Sequence, residues 1–241
     1  MKILIDKILN EEINYEDYSS DYENKCYNKN YKQYLDLDNQ LSMTDFVSFI
    51  VSNKKLFFNE IHNIKDKYLY SSITHGLNHN IRVLLFAFYL AKKTNLNEED
   101  FRIIMDACKY HDVGRINDLY DERHGLRSSE MIDKIVDDEI YNNKENLNVL
   151  KAIIEYHSIP DREIDKIYRK YKLNDLTRYK LLATILKDAD GLDRVRLSIN
   201  NKVFSDLNPR YLRLDESKEL VKISHIINFM FVNDNVFRKT R

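Results

Sequence analysis

Apolar residues recur with helical spacing along most of the chain. Val83, Leu84, Phe86, Ala87, Leu90 and Ala91 predict a helix over 79–92 with one broad buried face. Phe101, Ile104, Met105 and Cys108 predict a second over 97–111. Further apolar series predict helices over 130–140, 147–157, 176–197 and 217–232. Upstream, Thr44 is placed to cap a helix that carries Phe46, Val47, Phe49, Ile50 and Val51. Met1–Asn10 reads as a short amphipathic helix. Residues 11–42 read as a polar, tyrosine-rich stretch, mainly loop, and 159–175 as a charged connector with room for one helix. No alternating strand pattern and no internal repeat interrupts this reading. The fold class is all-α.

Two of these apolar stripes end on a histidine. Ile104, Cys108 and His111 fall at i, i+4 and i+7, with Asp112 next to them. Leu147, Leu150, Ile154 and His157 share a face in a later helix, and Leu186 precedes Asp190 by one turn. Polar groups at the buried ends of helices need partners, because an unpaired buried charge is costly. One cation satisfies several of them together. Five of the seven histidines fall at 75, 79, 111, 124 and 157, leaving His62 and His225 outside this stretch.

Composition sharpens the picture. The chain has only four glycines in 241 residues, and each lies within two residues of a His or Asp in Thr74-His75-Gly76-Leu77-Asn78-His79, His111-Asp112-Val113-Gly114-Arg115, His124-Gly125 and Asp188-Ala189-Asp190-Gly191. Glycine is costly in helices, so so few of them should mark bends or close approaches. The net charge of −1 gives no global field for a nucleic acid or a membrane surface. Cys26 and Cys108 form no CxxC pattern, which disfavours a structural zinc site. No run is long and apolar enough to span a bilayer and none reads as a secretory leader, so a cytoplasmic protein is expected.

The order His79, His111-Asp112, Asp190 resembles the HD-domain metal-dependent phosphohydrolases over roughly residues 70–198. His79-Asn80-Ile81-Arg82-Val83, Ala107-Cys108-Lys109-Tyr110-His111-Asp112-Val113-Gly114-Arg115 and Leu186-Lys187-Asp188-Ala189-Asp190-Gly191-Leu192-Asp193 carry the likeness. Asp188 competes with Asp190 for the closing position, and the spacing to Leu192 and Asp193 favours Asp190. His124 and His157 sit where the binuclear branches of that superfamily carry further ligands. The resemblance implies one metal on His79, His111, Asp112 and Asp190, and a second on Asp112, His124 and His157, with Asp112 bridging. It implies one or two divalent ions from Fe, Mn, Co, Ni and Zn, with Mg a further candidate. Ser158 and Ile159-Pro160-Asp161 stand where cyclic-dinucleotide phosphodiesterases of the HD-GYP type carry a second His and a GYP element, which speaks against that branch.

Phosphate chemistry also needs cationic side chains. Lys187 and Arg194, three residues before and one turn after Asp190, are the candidate catalytic cations beside Asp112. His75, Arg82, Arg115, Arg127 and Arg196 are the candidate substrate-binding groups. The resulting expectation is a metallophosphohydrolase acting on a nucleotide or another small phosphoester. Its rivals are a cyclic or dinucleoside phosphodiesterase, a non-catalytic metal or nucleotide sensor, and a di-iron oxygenase of the HD type. The expected organisation is an N-terminal extension over 1–70, an HD-type core over 71–200 and a C-terminal loop and helix over 201–241. Oligomeric state is not legible.

Overall fold

The computed structural model describes residues 39–197 and 207–238, with side chains to residue 230. The expected helix over 1–10 and all but the last residues of the tyrosine-rich stretch lie outside these limits. Among the described residues there are ten α-helices and no strand. They are α1 (Met43–Ser52), α2 (Lys54–His62), α3 (Leu77–Lys93), α4 (Glu98–Tyr110), α5 (His124–Met131), α6 (Lys144–His157), α7 (Ile164–Lys170), α8 (Leu176–Leu192), α9 (Asp215–Glu219) and α10 (Val221–Arg238). No helix among them is long and apolar enough to cross a membrane.

The chain forms two compact units. One comprises the described residues up to His62 and those from Gly191 onward; the other spans Asn63–Asp190. In the second unit α3 packs on α4, α4 on α6, and α6 on α5 and α7. Every residue of α3 from His79 to Ala91 is buried, as expected of a helix enclosed on all sides. Its neighbours contribute Phe101, Ile104 and Met105 from α4 and Val149, Leu150, Ile153 and Ile154 from α6. Two of these helices start at residues whose side chains supply the missing acceptors. Asn97 Oδ1 accepts from Asp100 N at 2.9 Å at the start of α4, and Asn143 Oδ1 accepts from Glu145 N at 3.0 Å at the start of α6.

Three expectations need correction. The cap of α1 is Ser42, not Thr44: Ser42 Oγ accepts from Asp45 N at 3.0 Å and donates to Asp45 Oδ2 at 2.6 Å. The helix expected over 130–140 begins earlier, at His124, and ends at Met131. Short 3-10 turns follow at Ile132–Lys134 and Glu139–Asn142. The reason is Asp138, whose carboxylate accepts from Ile140 N at 3.0 Å and pairs with Arg102, and so caps a turn where a helix interior was expected. The helix expected over 176–197 stops at Leu192 and tightens into a 3-10 turn at Asp193–Arg196.

In the first unit Gln40 clips the junction of α9 and α10. Gln40 Nε2 donates to Lys218 O at 2.8 Å and Gln40 Oε1 accepts from Lys222 N at 3.0 Å. His225, on the buried face of α10, is 6% exposed, and burial lowers its pKa to about 3. Its folded pKa therefore lies below the unfolded value near 6.5. The stabilising effect of the neutral ring is complete above that pH and is lost as pH falls toward 3, because the unfolded chain takes up the proton first. His225→Leu should flatten this part of the acid profile. Urea unfolding at pH 7 and pH 4.5 should show the variant losing less stability on acidification, by about 2–3 kcal/mol.

Candidate metal centre

Five helix ends in the second unit bring their terminal side chains together. His79 lies in the first turn of α3, and His124 opens α5. His111 directly follows α4, His157 closes α6, and Asp190 lies in the last turn of α8. Asp112 sits among them, 2% exposed, while His79 and His111 are fully buried. The Asp190 side chain is 27% exposed and marks the side open to solvent.

Three of the imidazoles are oriented by the same device. His111 Nδ1 contacts Cys108 O at 3.0 Å, His157 Nδ1 contacts Ile154 O at 2.5 Å, and His124 Nδ1 contacts Asp121 O. A carbonyl only accepts, so each Nδ1 carries the hydrogen and each Nε2 is left with a bare lone pair. For His111 and His157 the carbonyls belong to the last turn of a helix, where they lack a helical donor. The Nε2 atoms then face one another. His124 and His157 Nε2 lie 2.9 Å apart, and His79 and His111 Nε2 lie 3.1 Å apart.

The two oxygens of Asp112 divide between these pairs. Oδ1 lies 3.1 Å from His124 Nε2 and 3.6 Å from His157 Nε2. Oδ2 lies 3.5 Å from His79 Nε2 and 3.8 Å from His111 Nε2. Asp190 Oδ1 joins the second group at 3.3 Å from His79 Nε2. Oδ1 of Asp112 is buried and accepts no hydrogen bond.

Electrostatics assigns the charges. Burial lowers the pKa of His111 to about 3 against the pull of Asp112, and burial lowers that of His157 as well. Burial alone would raise the pKa of Asp112. The electrostatic pull of His111 and the polar contacts of His124, His157 and His75 outweigh it and hold the carboxyl well below its usual range. At neutral pH the cluster therefore holds an anionic Asp112 beside neutral His111 and His157.

Two opposed lone pairs at 2.9 Å repel unless a cation lies between them, and a proton is disfavoured by burial. Neutral nitrogens and a carboxylate suit divalent transition ions. Two nitrogens bound at about 2.1 Å and at right angles lie about 3.0 Å apart, which matches both pairs. His75, His79, Asp112, His111, Asp190 and His157 supply ligand atoms within 4.8 Å of one another in overlapping groups.

The cationic candidates separate. Arg115 Nε lies 2.9 Å from Asp112 Oδ2, and its Nη2 lies 3.4 Å from His124 Nε2. Arg127 braces the loop instead, donating from Nε to Gly114 O at 2.7 Å and pairing with Asp121. Lys187 donates to Ile159 O at 2.6 Å and Asp161 Oδ1 at 2.7 Å and lies 3.8 Å from the Tyr156 ring centre, so it ties the 159–161 loop to α8. Arg82 is buried within α3. Arg194 and Arg196 belong to the other unit, where Arg196 Nη1 bonds Asp193 O at 3.0 Å. His75 Nδ1 lies 3.1 Å from Asp112 Oδ2. His62 contacts its own helix, with Nδ1 2.8 Å from Phe58 O.

The residue pattern did not reveal Ser72, Asn80, Asp121 or Ser128. Ser72 Oγ accepts from Thr74 N at 2.9 Å and His75 N at 3.1 Å, and donates to Asp118 Oδ1 at 2.5 Å, joining two loops beside the cluster. Asn80 Nδ2 donates to Lys109 O at 3.1 Å and ties α3 to the end of α4. A Ser two residues before Thr74 is a turn signal, but nothing local marks Asp121.

The profile of the SidE phosphodiesterase (PDE) domain family matches residues 33–240, most of the chain. The chain belongs to that family. No curated protein and no solved structure shows a significant match to it. As a phosphodiesterase-domain protein it falls within the phosphoester-hydrolysing class expected from its sequence, and the matched segment contains every His and Asp of the cluster.

Proposed function

We propose that this SidE-type phosphodiesterase domain is a metal-dependent enzyme of the HD kind that hydrolyses a nucleotide-like phosphodiester. The observation that carries this reading is the pair of opposed Nε2 lone pairs of His124 and His157, 2.9 Å apart, with His79 and His111 Nε2 3.1 Å apart on the other side of a buried Asp112 whose Oδ1 accepts no hydrogen bond. His79, His111, Asp190 and Asp112 Oδ2 would hold one divalent ion, and His124, His157 and Asp112 Oδ1 a second. Such ions supply Lewis acidity toward water and toward a phosphoryl oxygen.

The chain's own groups do the rest. Asp112 provides the negative charge common to both sets. The carbonyls of Cys108, Asp121 and Ile154 hold the imidazoles in the tautomer that points Nε2 inward. Arg115 sits at the edge of the cluster with its Nε buried and making no hydrogen bond. Its guanidinium can turn from Asp112 to grip phosphoryl oxygens. Ile73, Ile116, Leu119 and Tyr120 are exposed on the two loops that carry His75 and Arg115, and offer an apolar face to the organic part of a diester.

A second reading rests on His75. A carboxylate 3.1 Å from Nδ1 is the arrangement that orients an imidazole as a general base, with no metal needed. A chelator experiment separates the two. Purified protein should carry about two divalent ions per chain. It should hydrolyse members of a panel of aryl, cyclic-nucleotide and dinucleoside phosphodiesters. Exhaustive chelation should abolish hydrolysis, and Mn²⁺ or Co²⁺ should restore it. Hydrolysis that survives complete metal removal sinks the metal reading in favour of His75.

A further inference from the structure

The two ligand sets are built differently. His79, His111 and Asp190 come from α3, the end of α4 and α8. His124 and His157 come from α5 and α6, two packed helices that approach closely at Gly125. Gly125, directly after His124, lies against the last turn of α6. A Cβ there would stand 2.7 Å from Ile154 O, 2.9 Å from Glu155 O and 2.6 Å from Ser158 Oγ. The first of these carbonyls is the one that accepts from His157 Nδ1 at 2.5 Å. Ser158 Oγ in turn donates to Glu122 O at 2.9 Å, two residues before His124. The absence of a side chain at Gly125 thus controls both the α5–α6 distance and the carbonyl that aims His157.

Resting on the dinuclear reading above, we propose that Gly125 is a positioning residue for the second cation alone. It acts as the spacer that sets the 2.9 Å separation of His124 and His157 Nε2. A methyl group at this position forces two backbone carbonyls away by several tenths of an ångström. Metal–ligand distances tolerate only about 0.2 Å. The first set shares no residue with this contact except through Asp112, so it keeps its geometry. Alanine also favours the helix more than glycine does, which opposes any general loss of structure.

The test titrates metal-free protein with Mn²⁺, following stoichiometry by calorimetry and spin coupling between paired ions by electron paramagnetic resonance. Native protein should bind two ions and show the coupled signal. Gly125→Ala should keep the first ion and its helical circular dichroism, bind the second about 10–100-fold more weakly, and lose the coupled signal. Glu130→Ala, at an exposed position of the same helix, should match the native protein. Two ions with unchanged affinity in Gly125→Ala overturn the proposal. So does loss of both ions or of helical structure, since the contact would then hold the fold and not the spacing. A native chain that never binds a second ion instead defeats the dinuclear reading, and the native arm shows this separately.

Discussion

Asp112→Asn should lower kcat by about 10³-fold or more while leaving the helical fold in place. The substitution keeps the shape of the side chain and removes its charge. Among the described residues that charge is the only anion shared by both imidazole pairs, with Oδ1 facing His124 and His157 and Oδ2 facing His79 and His111. An amide offers one oxygen and one nitrogen that only donates, so one pair must face an N–H where it faced an acceptor. Under the proposed reading bound Mn²⁺ falls from two ions to one or none. A matching loss in Asp190→Asn, with the second ion retained, would separate the two sets. Hydrolysis within about threefold of native in Asp112→Asn would remove Asp112 from the machinery. Circular dichroism of the same sample guards against misreading an unfolded protein as an inactive one.

The sequence made the two ends of this arrangement visible and hid the middle. His111 and His157 each ended an apolar stripe, and a stripe at helical spacing states which way its last residue points. Asp190 emerged beside Leu186 for the same reason. The position of His124 was not legible from periodicity. The segment between Asp112 and His124 is a loop, and its path is fixed by contacts distant in sequence: Ser72 with Asp118, and Arg127 with Gly114 and Asp121. The helix expected over 130–140 failed because Asp138 satisfies a turn, and an Asp in an apolar series gives no sign of which role it takes. Long cations were the least readable. Lys187 stands three residues from Asp190, yet Asp161 and Ile159 hold its ammonium group. Spacing places a Cβ, whereas four rotatable bonds and a loop carboxylate place Nζ. Three of the four glycines, Gly76, Gly114 and Gly125, lie at close approaches as their rarity suggested, whereas Gly191 does not, so they differ sharply in what a side chain would meet.

That difference supports the second large effect. Gly114→Ala should destabilise the protein by about 3 kcal/mol, whereas Gly191→Ala should be neutral or mildly stabilising. A Cβ on Gly114 would overlap Ser128 N and stand 2.7 Å from both the Arg127 carbonyl carbon and the His124 carbonyl oxygen, all backbone atoms of α5. Backbone does not rotate out of the way as a side-chain tip does, so the Asp112–Arg115 turn must lift off the helix. Lifting it breaks the bond from Gly114 N to Ser128 Oγ at 2.8 Å and that from Arg127 Nε to Gly114 O at 2.7 Å. It also moves Asp112 away from His124. At Gly191 the nearest atom to an added Cβ is Leu212 Cδ2 at 3.5 Å, an ordinary contact, and the residue is helical. For a chain of this size about 3 kcal/mol corresponds to a fall in Tm of roughly 6–12 °C. Thermal unfolding of the two variants side by side checks the prediction. Because the lifted turn carries Asp112, Gly114→Ala should also lose metal affinity at temperatures where it remains folded. An unchanged Tm for Gly114→Ala would show that the turn does not rest on α5 as the structure describes.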